Sequence, residues 1–353
     1  MAPPSYPILI CLAALLSSAV VLLSGCQNPL NSPQAQAHKC VRVRETQRLM
    51  GVPWTITLYS GKLETGKAAI NAAFAEVARL EKILSDYVPD SELCRLSAAA
   101  PTALPVPVSD DLWRVLARSL EIRDISGGAF DPTIGPLTTL WRQSRRSGHL
   151  PHAEKFAAAQ AAVGADAILL HPNQKTVSLT RNHMRLDLGG IGMGYAIDRA
   201  MDVLWQHKIS AAMIDASGDI AVSNPPPDTA GWNISVAPLS HAPGQREPGK
   251  LVLTNAAVTT SGDAFQSVEI DGIRYSHIVD PKTGLGVLGP AAVTVIAADC
   301  TTADALATAV SVLGPERGLS IVAATQGCAA RFVWVQDGKT RESLSARWPS
   351  VSK

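Results

Sequence analysis

Aromatic residues are scarce in this chain. Five Phe, 7 Trp and 5 Tyr make up 5% of its 353 residues, too few for the stacked platforms that grip single-stranded nucleic acid. Charge of either sign is also thin. Asp, Glu, Lys and Arg together are 17%, and 31 basic residues against 30 acidic ones leave a formal net charge of +1. Such a chain has no global field to gather nucleic acid or an anionic surface. None of the 6 cysteines sits in a CxxC pair, which argues against a structural zinc site. There is no tandem repeat, and no apolar run reaches the roughly 20 residues that a spanning helix needs. Hydrophobic residues are plentiful at 46%. That excludes disorder as the default and supplies a core without disulfide staples.

The N-terminal segment reads as an address. Ile8 to Leu23 is apolar and runs into Leu23-Ser24-Gly25-Cys26, with small residues at a cleavage position. This resembles a bacterial lipoprotein signal, in which Cys26 carries the lipid (palmitate among its acyl chains) and becomes the new N-terminus. The usual positive n-region is missing, since no Lys or Arg precedes Lys39. Asn28, Pro29, Asn31, Ser32 and Pro33 then form a tether. The organisation expected is a signal peptide over 1–25, a tether over 26–45 and one folded domain over 46–345. An uncleaved anchor helix is the second reading, and either one exports the remaining chain. Gln27 in place of Asp favours the outer over the inner membrane, with the domain facing the periplasm. Cys40, Cys94, Cys300 and Cys328 remain, as disulfides of unreadable pairing or as buried thiols.

Residue periodicity outlines the domain. Trp54–Tyr59 alternates like a strand. Helical spacing runs over 65–84, 110–125, 153–163, 195–207 and 302–313, the last stopped by Gly314-Pro315. Arg185–Leu188 reads as a short strand entering glycines. Residues 211–215 and 219–222 form a strand pair around Ser217-Gly218. Asp271-Gly272 joins two more strands, 267–270 and 273–276. Strands over 232–236, 250–253 and 292–297 complete the outline. Strands and helices mix without a regular βαβ beat, so the fold class is α+β, mixed sheets flanked by helices.

Five polar clusters carry candidate chemistry. Gly127-Gly128-Ala129-Phe130-Asp131-Pro132-Thr133 is a helix cap or a backbone approach to a ligand. Asp187-Leu188-Gly189-Gly190-Ile191-Gly192-Met193-Gly194 opens a helix, a phosphate cradle in principle, but Asp187 would repel a pyrophosphate there and suits a metal or nucleobase contact better. It is no dinucleotide fingerprint of the Rossmann type, because the third glycine would fall at Tyr195. Thr260-Ser261-Gly262-Asp263 is a polar turn. Tyr275 to Gly284 embeds His277, a candidate general base. Asp304 and Thr308 share one helix face at i, i+4 and offer hard oxygen ligands of the kind Mg²⁺ prefers. Singly, each cluster leans structural.

Their order and spacing resemble the ApbE family, the periplasmic FAD:protein FMN transferases. The resemblance runs from about Met50 to Gly314. It is carried by Met50-Gly51, Ser85-Asp86-Tyr87 with Ser91-Glu92, Gly128 to Thr133 with Gly135-Pro136-Leu137, Leu186-Asp187-Leu188-Gly189, Ser261-Gly262-Asp263, His277 to Gly284, and Ala303-Asp304 with Ala307-Thr308. The resemblance implies an ApbE-like fold and a reaction in which FAD is the substrate. With Mg²⁺, its pyrophosphate is cleaved, FMN moves to a threonine hydroxyl of a target protein, and AMP leaves. It implies that Gly190, Asp304, Ala307 and Thr308 hold Mg²⁺. Met50, Tyr87, Ala129, Phe130, Asp131, Asp187, Met193 and Ile278 line the FAD site. His277 is the candidate base, with Asp280 beside it or in its stead. Family members commonly carry Lys or Glu where Met193 stands, Ala where Gly192 stands and Gly-Gly where Ser217-Gly218 stands. The expected acceptors are respiratory flavoprotein subunits of the Rnf or sodium-pumping quinone reductase type. The other two readings are a lipoprotein that binds or hydrolyses FAD without transfer, and a plain solute-binding lipoprotein.

Overall fold

The computed structural model describes residues 40–236, 239, 249–262 and 267–349. The signal peptide, Cys26, nearly all of the tether and Asp263 lie outside the described residues. Residues 41–45, expected as the end of the tether, already belong to a strand. β1 (Val41–Leu49) pairs antiparallel with β2 (Val52–Ser60), and Val43 and Leu49 turn inward from it. The two are joined by Met50 (φ 48) and Gly51 (φ 80), both in the left-handed region that a two-residue hairpin turn requires.

Two helices follow, α1 (Leu63–Leu84) and α2 (Glu92–Ala98), then a short strand β3 (Val106–Pro107) and helices α3 (Asp110–Ile125), α4 (Gly135–Ser147) and α5 (Ala153–Ala161). Strands β4 (Ile168–His171) and β5 (Thr176–Leu179) lead to α6 (Gly192–Gln206). The remainder is mostly sheet: β6 (Ala211–Ala216), β7 (Asp219–Val222), β8 (Trp232–Ser235), β9 (Lys250–Leu253), β10 (Ala256–Gly262), β11 (Ser267–Ile270), β12 (Ile273–Val279), β13 (Gly286–Leu288) and β14 (Ala291–Ala297). Helix α7 (Cys300–Ala324) and strands β15 (Ala329–Gln336) and β16 (Lys339–Leu344) close the described chain.

Eight strands form one antiparallel sheet in the order β1-β2-β6-β7-β10-β14-β15-β16. Helices α1, α6 and α7 cover one face. The reason is legible in α1, where Ala69, Ile70, Ala73, Val77 and Leu80 recur at three- and four-residue spacing and are fully buried. They meet Trp54, Ile56 and Leu58 of β2, and Ala196, Ile197, Ala200 and Leu204 of α6. Each large side chain so buried contributes about 1.5–3 kcal/mol of transfer free energy. The opposite face carries a smaller core in which Trp232 and Ile234 of β8 pack with Val222, Val258 and Ile296. A third cluster seats α4 against the small sheet β11-β12-β13 through Leu137, Trp141, Tyr275 and Val279. The Trp141 indole Nε1 donates to the Gly284 carbonyl at 2.7 Å.

The expected α+β class is what the chain adopts. Two expectations change in detail. Arg185–Leu188 is not a strand; its one sheet-like contact is a parallel bridge from Arg185 to Ile134. The Leu186 amide is taken by the Ser97 hydroxyl and the Asp187 amide by the Pro132 carbonyl. Thr260-Ser261-Gly262, expected as a polar turn, is instead the end of β10 and pairs with Thr294, Val293 and Ala292 of β14. The helix expected over 302–313 does stop at Gly314 (φ 76, ψ 179), and a second helical run from Pro315 to Ala324 follows across that kink. The four described cysteines are free thiols: Cys40 exposed, Cys94 half-buried, Cys300 and Cys328 buried. No helix among the described residues is long and apolar enough to cross a membrane.

Candidate active site

Two hairpin turns of the large sheet, Met50-Gly51 and Ser217-Gly218, end at the rim of one cavity of about 810 Å³. That volume lies in the range of about 300–1,000 Å³ usual for small-molecule sites. Its other walls come from the loop after α1, the α3–α4 loop, the glycine-rich entry to α6, β10, β12 and the first turns of α7. Met50, Tyr87, Ala129, Phe130, Asp131, Asp187, Gly190, Met193, His277, Ile278, Asp304 and Thr308 all line it. Twelve of the fourteen expected catalytic, flavin-site and metal residues, drawn from six separate stretches of sequence, thus converge.

Asp280 and Ala307 do not line it. Asp280 spends its carboxylate on the turn leaving β12, accepting from the Lys282 amide at 2.9 Å and the Thr283 hydroxyl at 3.2 Å. Its backbone bonds to Leu285 and Gly284 tighten the same turn. Ala307 is buried inside α7, where its carbonyl accepts the Ser311 hydroxyl at 2.8 Å.

The acidic end of the cavity is built by α6 and α7 pressed together. An added Cβ at Gly194 would fall 2.4 Å from the Cys300 carbonyl oxygen, and one at Gly190 would fall 2.7 Å from the Thr308 hydroxyl. Only glycine permits these approaches. The Gly194 amide donates to the Asp304 carboxylate at 3.1 Å. Asp198, on the next turn of α6, accepts the Cys300 and Thr301 amides, each at 2.8 Å, and so caps α7 beside its own N-cap, Asp299. Burial, opposed by these hydrogen bonds, pushes Asp198 up to about 6. Burial pushes Asp304 up to about 7, against the Gly194 amide, with Asp198 adding repulsion. Asp219, at the start of β7, is raised well above the usual carboxylate range by burial and by the nearby Asp304 and Asp215. Neither Asp304 nor Asp219 has a basic ion-pair partner among the described residues. Buried carboxylates without a counter-charge beside a hydroxyl are a donor set of hard oxygens that fits Mg²⁺. No group of three or more His, Cys, Asp or Glu among the described residues forms a closed cage.

A second polar wall is cationic. Arg142 on α4 donates to Asp86 at 2.5 Å and to Asp187 at 3.0 Å, and lies 4.1 Å over the Tyr87 ring. Thr138, one turn earlier, donates to the same Asp187 oxygen at 2.7 Å. Burial opposes the Arg142 charge, but Asp187 and Asp86 more than offset it and raise its pKa. Burial, then Asp187, raises Asp86, with Arg142 opposing. Asp131 is held by its own loop, accepting the Thr133 amide and hydroxyl at 2.8 and 2.6 Å. His277 reaches the cavity from the centre strand of the small sheet, which Trp141 pins to α4.

The residue reading of the sequence missed Asp219, Arg142 and Thr138. The signal for the last two was present, because they stand at i, i+4 on a helix that follows Gly135-Pro136. Asp219 had none, since strands and helices distant in sequence create its surroundings.

Three comparisons bear on this site. The family model described as "ApbE family" matches residues 50–332. A FAD:protein FMN transferase of Vibrio cholerae is 30% identical over 344 residues, 95% of this chain and 98% of the relative. One of Treponema pallidum is 32% identical over 325 residues, 86% of this chain and 88% of the relative. Among solved structures, the flavin transferase ApbE from Vibrio cholerae superposes with a TM-score of 0.77 at 28% identity, covering 87% of this chain and 98% of that one. The apo flavinyl transferase ApbE of Pseudomonas stutzeri gives 0.76 at 30% identity, covering 87% and 95%.

Proposed function

The chain belongs to the ApbE family, and from that premise we propose that its cavity binds FAD and that it works as an FAD:protein FMN transferase. The observation that carries this is the convergence of twelve expected residues, from Met50 to Thr308, on one cavity of about 810 Å³. The acceptor atom is a threonine hydroxyl oxygen of another protein. It attacks the FMN phosphorus, a P–O bond forms, the P–O bond to the AMP oxygen breaks, and AMP leaves.

Asp304 and Thr308, with the Gly190 backbone beside Thr308, are the residues that would hold Mg²⁺. A bound Mg²⁺ supplies positive charge to the diphosphate and to the oxygen that leaves. The chain's own residues do the rest. Gly194 and Asp198 fix α7 so that Asp304 and Thr308 face the cavity on adjacent turns. His277 accepts the proton of the incoming threonine hydroxyl. Met50, Phe130, Met193 and Ile278 give apolar contacts to the flavin or adenine ring, Met193 in place of a charged one. Asp187 accepts a hydrogen bond from a ring donor. Phosphoryl transfer asks for little beyond such positioning and charge neutralisation.

In the cell we place the enzyme on the periplasmic side, held by a lipid on Cys26, with respiratory flavoprotein subunits of the Rnf or sodium-pumping quinone reductase type as acceptors. Incubation with FAD, Mg²⁺ and a purified acceptor tests the reading. Covalent flavin fluorescence on the acceptor supports it. Free FMN and AMP without labelling would make the protein a hydrolase, and no flavin bound at all would remove FAD from the account.

A further inference from the structure

Arg142 makes three contacts at the cavity wall. Its Nη1 donates to Asp86 at 2.5 Å, its Nη2 to Asp187 at 3.0 Å, and its planar face covers the Tyr87 ring at 4.1 Å. The guanidinium side chain is 18% exposed and both carboxylates are 6% exposed, whereas Tyr87 is 69% exposed. Tyr87 therefore stands out at the cavity mouth with little else packed on it, and the guanidinium over its face orients the ring.

The second contact concerns Asp187. A carboxylate offers about four acceptor positions. Three are taken: one on Oδ1 by the Gly189 amide at 2.8 Å, and two on Oδ2 by Thr138 at 2.7 Å and Arg142. One position on Oδ1 remains in a residue that lines the cavity. Without Arg142, Asp86 and Asp187 would face each other as neighbouring buried acids. Asp86 already feels that repulsion, and loss of the guanidinium leaves only the Gly189 amide and the Thr138 hydroxyl to hold the direction of the Asp187 carboxylate.

We propose that Arg142 is a positioning residue of the FAD site, holding the Tyr87 ring as a stacking wall and the Asp187 carboxylate in a fixed direction as the acceptor for a ring N–H of the dinucleotide. The inference rests on FAD being the ligand. Its chemistry is specific to arginine: lysine keeps the charge but has neither the fork that spans two carboxylates nor a planar face for the ring.

The test is a double-mutant cycle read as FAD affinity, by quenching of flavin fluorescence, in wild type, R142K, Y87L and R142K/Y87L. Tyr87 is exposed enough that Y87L leaves the fold in place, and R142K retains the charge that the two acids need. R142K is expected to weaken FAD binding about tenfold in the wild-type background and about twofold or less once Tyr87 is gone. R142M, which also removes the charge, is expected to weaken it further and to do so in both backgrounds. Equal losses from R142K with and without Tyr87, or no loss at all, would overturn the inference while wild-type FAD binding leaves the transferase reading standing. Failure of the wild-type protein to bind FAD would overturn both.

Discussion

The Gly194 amide donates to the Asp304 carboxylate at 3.1 Å, across 110 residues of sequence. That bond ties the glycine-rich entry of α6 to the acid-bearing face of α7 and sets the geometry of the cavity's acidic end. A methyl group at Gly194 has no room there, because it would lie 2.4 Å from the Cys300 carbonyl and 2.9 Å from the Asp304 Cβ. Gly194→Ala is therefore expected to cost about 1–3 kcal/mol of stability and to weaken Mg²⁺ binding as the helices part. Thermal unfolding with and without Mg²⁺ measures both effects. An unchanged melting temperature would mean that the helices separate freely.

Asp304→Ala removes the only carboxylate of the proposed cation pair. FMN transfer is expected to fall by a factor on the order of 10³ or more, and the titration of Mn²⁺ by electron paramagnetic resonance is expected to lose its tight site. If the variant flavinylates an acceptor at the wild-type rate with EDTA present, Asp304 does not hold the metal.

His277→Ala separates chemistry from binding. Loss of a general base costs about 10²–10⁴-fold in rate, so labelling of the acceptor should fall by that amount while FAD still quenches on addition to the protein. Labelling within twofold of wild type would remove His277 from the proton transfer.

The stability of the metal-free protein should depend on pH in a stated direction. Asp198 and Asp304 are raised from 3.8 to about 6 and about 7, so the folded state binds their protons more tightly than the unfolded chain. Their stabilising protonation is fully present below about pH 3.8 and is lost as pH rises through 6 and then 7. For Asp198 alone the change is on the order of 2–3 kcal/mol. Melting temperatures of the metal-free protein should fall across that window, and Mg²⁺ should recover most of the loss above pH 7, where it competes only with water. A melting temperature that rises from pH 4 to 7 without metal would contradict the assignment of these buried acids.

Local patterns were the readable part of this sequence. The stripe from Ala69 to Leu80 announced α1, and Ser217-Gly218 between two apolar stretches announced the β6–β7 turn, where both residues take positive φ. Asp304 and Thr308 stood out because one helical turn separates them. By contrast, β10 reads Ala-Ala-Val-Thr-Thr-Ser-Gly, a weak strand signal that the sheet overrides by pairing it on both sides with β7 and β14. Arg185–Leu188 has strand-like residues, yet side chains and loops take its backbone bonds. The ion pairs of Arg142 and the buried setting of Asp219 come from contacts distant in sequence, which no local pattern records. The resemblance to a family supplied what periodicity could not; of the residues it implied, Asp280 sits in the turn after β12 and Ala307 inside α7, outside the cavity lining.

The most direct measurement is mass spectrometry of a purified acceptor after incubation with the protein, FAD and Mg²⁺. The account predicts one FMN joined by a phosphoester to a threonine, with an equal amount of AMP released, and no adduct with EDTA or with Asp304→Ala. An adduct that forms equally well with EDTA, or FAD cleaved with no flavin ever joined to the acceptor, would contradict it.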